Sequence, residues 1–205
     1  MRLILASRSP RRLELLREHG FEPEVLIAEV DDSDLIPGQT SPGEWTSALA
    51  YLKARAITDT VLGPERERSV VIAADTMCVK GTELIGKPEN REDAERIIRA
   101  LMNGSHEVLT GVSIVSPSRS ELFVDRAIVR VGSITPSQID TYLNSELWHG
   151  KAGGYNLNER INGGWPITFE GDPTCVTGLP MRRVVPILRS MLTRRDDPEC
   201  ATMTQ

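Results

Sequence analysis

The order of apolar and polar positions predicts a chain in which short buried strands alternate with amphipathic helices. Residues 3–6, LILA, form an apolar run that predicts a strand. Ser9 and Pro10 predict the start of a helix, because proline is favoured at the first helical position, and Gly20 predicts its end. The first predicted unit is therefore a strand, a turn and a helix.

A second helix and a central strand follow. Ser41 and Glu44 have the S-x-x-E spacing of a capping box, which predicts a helix that begins at Pro42. Residues 69–76, SVVIAADT, are mostly apolar and do not alternate with polar positions. Because this pattern is typical of a strand covered on both faces, we expect it at the centre of the sheet.

Turn and capping residues predict the remaining elements. In order, these are a hairpin around Lys80 and Gly81, a helix capped by Asn90, strands at 106–116 and 121–133, a helix from Thr135 to about Trp148, and a last helix after Gly178. Pro186 lies within the last helical pattern and is expected to kink that helix or displace its start. Strands and helices in this order predict an α/β fold with a mixed sheet.

Length and composition indicate one folded domain. The 205 residues are 40% hydrophobic and 26% charged, which is ordinary for a globular protein. We expect a single domain over residues 1–193 and a polar, flexible C-terminal tail over 194–205. Since no apolar run approaches the roughly 20 residues of a membrane span, no membrane contact is expected.

Charge and cysteine content narrow the function further. The 24 basic and 29 acidic residues give a net charge of −5, which disfavours sequence-independent binding to nucleic acid. The cysteines, Cys78, Cys175 and Cys200, are odd in number and lack CxxC spacing, so neither a disulfide framework nor a zinc site is expected. The first apolar run is short for a secretion signal, and together these features favour a reducing cytoplasm.

Two arginines occupy the unfavourable end of the first predicted helix. Arg11 and Arg12 lie in its first turn, where the helix dipole carries about +0.5 charge, so each costs about 0.3 to 1 kcal/mol without a nearby anion. A phosphate would remove the conflict, and Ser7, Ser9 and the free backbone N–H groups would add donors. The alternative is that Ser9 only caps the helix while the arginines pair with nearby glutamates.

Several acidic residues are candidates for catalysis or metal binding. Asp75 follows the apolar run of the central strand, at the kind of strand end where α/β folds often bind ligands. It is either a turn residue or a working carboxylate. Asp32 belongs to an acidic loop with Glu29, Asp31 and Asp34, whose oxygen atoms suit Mg²⁺, although a solvated loop also explains it.

Two lysines are candidates for a functional site near Asp75. Lys53 lies on the apolar border of the second helix, where it either finds a partner or extends its ammonium group to water. Lys87 belongs to GTELIGKP, which departs from a Walker phosphate loop because Pro88 replaces the final Ser or Thr. The predicted hairpin brings Lys87 within reach of Asp75, and a solvated loop lysine is the alternative.

Small residues and an aromatic ring occur together in KAGGY, residues 151–155. Its glycines permit a close approach of the backbone to a ligand, and Tyr155 either packs in the core or stacks on that ligand. His19, His106 and His149 lack the spacing of metal ligands or of a catalytic relay, so we interpret them as structural.

Seven segments in consistent order resemble one protein family. They are LASRSPRRLELL, ALAYLKARA, VVIAADTMCV, ELIGKP, TGV at 110–112, KAGGY and the final GLP, and across residues 3–192 they are similar to the Maf family of nucleoside-triphosphate pyrophosphatases. The resemblance implies an elongated α/β fold, related to the inosine-triphosphatase architecture, with a ligand cleft between two lobes. It also implies hydrolysis of a nucleoside triphosphate to the monophosphate and pyrophosphate, with Mg²⁺ or another divalent cation such as Mn²⁺, in a possible homodimer.

The resemblance also implies roles for individual residues. Asp75 corresponds to the catalytic base and, together with Asp32, to a metal ligand. The residues implied in binding the triphosphate are Ser7, Arg11, Arg12, Lys53 and Lys87, of which the two lysines also serve catalysis. Thr76 and Asn158 are implied as further substrate contacts.

The expected nucleobase of the substrate follows from comparison with two branches of the family. SPRR and Asp75-Thr76 resemble the branch that acts on dTTP and UTP, so these or modified pyrimidine nucleotides are expected. Where that branch reads A-G-x-Y-x-I-Q-G, this chain has AGGYNLNER, with Asn158 at the glutamine and Glu159 at the glycine. The shorter amide retracts its polar end by about 1.5 Å, which is enough to alter base recognition.

Three other functions stay open on sequence alone. The segment EGDPTCVTGLP resembles the branch that acts on 7-methyl-GTP. A phosphatase that removes only the terminal phosphate would use a similar pocket. A nucleotide-binding regulator of cell division, suggested by the family's association with septum-formation inhibition, would need the basic pocket but not Asp75.

Overall fold

The fold is organised around one mixed sheet. The computed structural model describes residues 1–27, 38–61 and 63–193. The strands of this part are β1 (Arg2–Leu5), β2 (Glu24–Val25), β3 (Ser69–Lys80), β4 (Glu83–Ile85), β5 (Gly104–Val115), β6 (Ser120–Val131) and β7 (Ile167–Glu170). Their order is β2-β1-β3-β5-β6-β7, with β4 paired to β3. Because β1 is parallel to β3 while β4 and β5 are antiparallel to it, the predicted mixed α/β fold is confirmed.

Helices flank the sheet, and those that the sequence predicts begin where expected. They are α1 (Pro10–Glu18), α2 (Pro42–Ala56), α3 (Arg91–Leu101), α4 (Pro136–Asn144), α5 (Leu157–Asn162), α6 (Pro173–Thr177) and α7 (Met181–Thr193). The Ser41–Glu44 capping box is present, and Asn90 caps α3. Ser9 occupies the N-cap position of α1, but its side chain makes no capping hydrogen bond.

Several boundaries differ from the prediction. Helix α4 ends at Asn144, short of Trp148, and α7 continues through Pro186 as one helix. The sequence analysis missed β2, α5, β7 and α6, because elements of two to six residues are too short to establish a period. The expected tail, 194–205, lies outside the described residues.

The two faces of β3 pack against different clusters. On one face, Ile72 and Ala74 join a core with α1 and α7, whereas Cys78 joins a second core with α3, α4 and α5. On the opposite face, Val71 and Ala73 pack against α2. Thr76 lies between the two cores of the first face.

A gap in the sheet beside β3 positions the candidate site. Strand β1 pairs with β3 as far as Ile72, whose carbonyl accepts from the Ala6 N–H at 2.8 Å, and β4 joins only at Cys78. In the described part of the chain, β3 therefore has β5 as its sole neighbour over residues 74–77. Because backbone groups of a strand point alternately to its two neighbours, those of Ala74 and Thr76 face the gap.

Candidate active site

A cleft of about 440 Å³ opens at the gap beside β3. It brings together most of the predicted site residues, namely Ser7, Arg11, Arg12, Lys53, Asp75, Thr76 and Lys87. Arg8, which the sequence analysis did not single out although it lies in the same SRSPRR run, also lines the cleft. We name the part around Ser7, Arg12, Lys53 and Asp75 the cationic end.

Another part of the cleft lining is mostly apolar. Cys78, Val108, Ala152, Tyr155 and Val176 line it, and we name this part the apolar end. Burial raises the pKa of the Cys78 thiol to about 12 and that of the Tyr155 hydroxyl well above its usual value. Both groups are therefore protonated at neutral pH, so neither acts as an anionic nucleophile.

Asp75 and Lys53 form an ion pair across the cationic end. The Lys53 ammonium donates to Asp75 Oδ1 at 2.7 Å, and the two side chains are only 21% and 16% exposed. Among the described residues that line the cleft, Asp75 is the only carboxylate. The candidate base is thus anchored through one oxygen, while Oδ2 has no partner in the described part of the chain.

Gly111 explains how α2 brings Lys53 to Asp75. Gly111 lies directly opposite Asp75 in the β3–β5 ladder. A Cβ atom there would lie 2.5 Å from the backbone oxygen of Thr46 in α2, so only glycine permits this close approach of the helix to the sheet.

Arg12 is held in place by neutral acceptors. It donates from Nε to the Gly178 carbonyl, from Nη1 to Ser7 Oγ and from Nη2 to Thr76 Oγ1, each at 3.0 Å. Gly178 has a φ of 120°, and a Cβ there would lie 3.1 Å from Arg12 Nε, so this turn also requires glycine. The 166-residue separation of Arg12 and Gly178 hid this contact from the sequence analysis.

The Arg12 guanidinium is a buried charge without a carboxylate partner among the described residues. Burial lowers its pKa to about 10, with Asp75 opposing and Arg11 adding to that shift. The group is still cationic at neutral pH, and because charge is costly to bury without a counterion, an anionic ligand is expected beside it.

The first turn of α1 adds to this preference. It contains no acidic residue, and the hydroxyl of Ser7 accepts from the Ser9 N–H at 3.2 Å. The predicted conflict between Arg11, Arg12 and the helix dipole is therefore not relieved by an acidic side chain within that turn.

Lys87 reaches the cleft from the loop after β4. The Gly153 N–H donates to the Gly86 carbonyl at 3.0 Å, which ties this loop to the KAGGY segment. Gly153 has a φ of 72°, and a Cβ there would lie 3.2 Å from the Cys78 sulfur. KAGGY thus packs the Lys87 loop against the apolar end.

One predicted residue of the described part of the chain is not brought into the cleft. Asn158 is exposed on α5 and is absent from the cleft lining, whereas its neighbour Glu159 pairs with Lys151 at 2.6 Å. The departure from the family pattern therefore builds an ion pair next to the cleft wall. Asp32 and its acidic loop lie outside the described residues.

The donor set of the described residues fits a hard divalent cation in combination with phosphate. The described residues contain no cluster of three or more His, Cys, Asp or Glu side chains that would hold a metal by themselves. Mg²⁺ is commonly held by one or two carboxylates together with substrate phosphates. Asp75 beside a bound nucleotide meets that requirement.

The described residues also contain no helix long and apolar enough to cross a membrane.

Comparison with known proteins identifies the family. The family described as Maf-like protein matches residues 2–191. The dTTP/UTP pyrophosphatase of Rhizobium meliloti (strain 1021) is 37% identical over 191 residues, or 91% of each chain. That of Bacillus cereus (strain G9842) is 33% identical over 184 residues, or 90% of this chain and 92% of the relative. The solved structure of the Staphylococcus aureus Ham1 protein is similar over 64% of this chain and 72% of that chain, at 15% identity and a TM-score of 0.42. The chain belongs to the Maf-like protein family.

Proposed function

We propose that this protein is a nucleoside-triphosphate pyrophosphatase that acts on dTTP, UTP or related pyrimidine nucleotides. The observation that carries the proposal is the buried charge of Arg12, which has no carboxylate partner among the described residues, in a cleft whose described lining contains further cations and Asp75 as its one carboxylate. Relatives at 33% and 37% identity named dTTP/UTP pyrophosphatase support the reaction and the choice of base.

The cationic end accounts for binding of the phosphates and for stabilisation of the leaving group. Arg11, Arg12 and Lys87 bind the triphosphate, and the N-terminus of α1 adds backbone donors. When the bond between the α- and β-phosphates breaks, negative charge accumulates on the pyrophosphate. Fixed cations stabilise this developing charge more than they stabilise the bound substrate, which is how they accelerate the reaction.

Asp75 supplies the base. Lys53 holds Oδ1, so the carboxylate has a fixed orientation, and Oδ2 accepts a proton from a water molecule that attacks the α-phosphorus. We propose that Asp75 also binds Mg²⁺ or a similar divalent cation, with Asp32 as a second ligand. When bound, that cation would neutralise charge on the substrate phosphates.

The apolar end is the proposed binding site of the nucleobase. Tyr155 and Val108 offer an apolar surface, and Ala152 leaves room beside them. The predicted contact with Asn158 finds no support, because that residue lies outside the cleft lining. A cytoplasmic location and a homodimer stay predictions.

Product identification tests the proposal. Purified protein with Mg²⁺ is incubated with dTTP, UTP, 7-methyl-GTP and the other common triphosphates, and the products are separated. We expect the monophosphate and pyrophosphate, with highest activity on dTTP or UTP. Diphosphate plus orthophosphate would indicate a terminal phosphatase, and no turnover of any nucleotide would contradict an enzymatic function.

A matched variant excludes contaminating phosphatases. Asp75→Asn keeps the size of the side chain and removes the base, so we expect turnover to fall by about 10²- to 10⁴-fold. Asp140→Asn, an exposed position paired with Arg91, serves as the control and should leave turnover unchanged. Equal turnover by wild type and Asp75→Asn would show that Asp75 is not the base.

A further inference from the structure

One polar side chain behind the cationic end has no role in the proposed mechanism. Thr110 on β5 is fully buried and does not line the cleft. Its hydroxyl donates to the Cys175 carbonyl at 2.8 Å and lies 3.0 Å from the hydroxyl of Thr76. It therefore connects the cleft residue Thr76 to the backbone of α6.

The chemistry of the partners fixes the direction of this chain of hydrogen bonds. The Cys175 carbonyl only accepts, so it takes the single hydroxyl proton of Thr110. The Thr76 hydroxyl must then donate to Thr110. Its oxygen consequently accepts from Arg12 Nη2, which only donates. The chain runs in one direction, from Arg12 through Thr76 and Thr110 to Cys175.

The direction of this chain matters because it keeps the Thr76 oxygen available as an acceptor for Arg12. Within the described part of the chain, three of the five guanidinium N–H groups are used by Gly178, Ser7 and Thr76, which leaves two for a ligand. Without an acceptor at position 110, the Thr76 proton would be free to turn toward Arg12, where two donors would oppose each other. The guanidinium would then lose one of its three anchors.

We propose that Thr110 is a positioning residue for phosphate binding. It orients the Thr76 hydroxyl so that Arg12 presents its two remaining N–H groups to the phosphates, and it touches no substrate itself. The inference rests on the proposed function, in which Arg12 binds the triphosphate. It assigns the TGV motif two distinct tasks, since Thr110 orients Arg12 from one face of the sheet while Gly111 admits α2 on the other.

Two substitutions at position 110 separate the hydroxyl from the methyl group. Thr110→Val keeps the shape and removes the hydroxyl, whereas Thr110→Ser keeps the hydroxyl and removes the methyl group. The measurement is the dissociation constant of inorganic pyrophosphate in the presence of Mg²⁺, obtained by calorimetry. We expect Thr110→Val to bind about tenfold more weakly than wild type, as for loss of a hydrogen bond to a charged group, and Thr110→Ser to bind like wild type.

A purely structural role of Thr110 would give the opposite pattern. Both variants would then lower the unfolding temperature while pyrophosphate affinity stayed at the wild-type value, and this result would overturn the proposal. Turnover adds a second readout, because a weakened contact between Arg12 and the phosphates lowers kcat/KM in Thr110→Val but not in Thr110→Ser. An unchanged kcat/KM in Thr110→Val would also overturn the proposal.

A double-mutant comparison keeps the test valid if Thr110→Val folds poorly. Thr76→Val removes the acceptor of Arg12 directly and should weaken pyrophosphate binding by the same factor of about ten. The double variant Thr76→Val/Thr110→Val should then bind no more weakly than Thr76→Val alone, because both changes break one chain. Additive losses would contradict the proposal.

The outcome is distinguishable from failure of the proposed function. Wild-type protein that binds pyrophosphate but hydrolyses no triphosphate would refute the enzymatic function, while the comparison of the variants would still decide the role of Thr110. Wild-type protein that hydrolyses triphosphates but does not bind pyrophosphate would overturn the role of Thr110 in phosphate binding and leave the enzymatic function standing.

Discussion

The two ends of the cleft are built in different ways. At the cationic end, Arg12 and Asp75 are held by hydrogen bonds and an ion pair beside an open strand edge. At the apolar end, Cys78, Val108 and Tyr155 belong to the buried core cluster that also contains α3 and α4. Substitutions at the cationic end should therefore change activity with little loss of stability, whereas changes behind the apolar end should first change stability.

The strongest test of this difference is removal of Lys53. Lys53→Met keeps the aliphatic stem but removes the cation that anchors Asp75 at 2.7 Å. Because a preorganised charge at a reacting centre is typically worth about 10²- to 10³-fold, we expect kcat/KM to fall by that factor while the urea midpoint shifts little. Steady-state kinetics and urea unfolding measure the two quantities.

The control for Lys53→Met lies two residues further along the same helix. Arg55→Met removes a cation that pairs with Asp59 at 2.8 Å, is 38% exposed and does not line the cleft. It should keep wild-type kcat/KM. If Lys53→Met unfolds at much lower urea while its residual kcat/KM is normal, the cationic end is a structural element and the contrast between the two ends fails.

The cationic end was predictable because its residues violate local rules. Two arginines in a first helical turn, and an acid directly after a buried apolar run, each indicate an unsatisfied electrostatic demand within a few residues of sequence. The structure places that acid, Asp75, inside β3 and not at the strand end that the sequence predicts. The hydrogen bonds from Arg12 to Thr76 and Gly178 were not predictable, since both residues meet Arg12 only through the topology of the fold. Asn158 shows that a family motif can also mislead. Its place in the motif predicted a contact with the nucleobase, but Asn158 is not among the residues that line the cleft.

His106 allows the apolar end to be tested through pH. Its Nε2 lies 2.7 Å from the Tyr155 hydroxyl, its Nδ1 has no hydrogen-bond partner among the described residues, and it is 2% exposed. Burial, reinforced by Lys80, lowers its pKa to about 4 from 6.5. Below pH 6.5 the unfolded chain gains a proton that the folded protein does not accept, so the free energy of unfolding should fall until pH 4, by about 3 kcal/mol.

A non-titrating variant isolates this contribution. His106→Gln retains hydrogen-bonding groups near Tyr155 but cannot gain the proton, so its free energy of unfolding should change less between pH 7 and pH 4.5 than that of wild type. Urea unfolding at both pH values provides the comparison. Identical pH dependence in the two proteins would show that His106 does not carry the acid sensitivity of the apolar end.

The smallest expected effect comes from the glycine between Asp75 and α2, and it tests whether the two ends are as separable as their construction indicates. Gly111→Ala places a Cβ atom 2.5 Å from the Thr46 backbone oxygen, so α2 must move away from the sheet. We expect a loss of about 1 to 3 kcal/mol in unfolding free energy, as for other overpacked sites, together with a lower kcat/KM because α2 carries Lys53.

Gly104→Ala at the start of the same strand is the matched control, since its nearest neighbours would lie 3.8 Å away and both quantities should stay close to wild type. If Gly111→Ala lowers stability but leaves kcat/KM intact, the distance between Lys53 and Asp75 tolerates movement of the helix, and the cationic end is less dependent on the packing of α2 than the ion pair indicates.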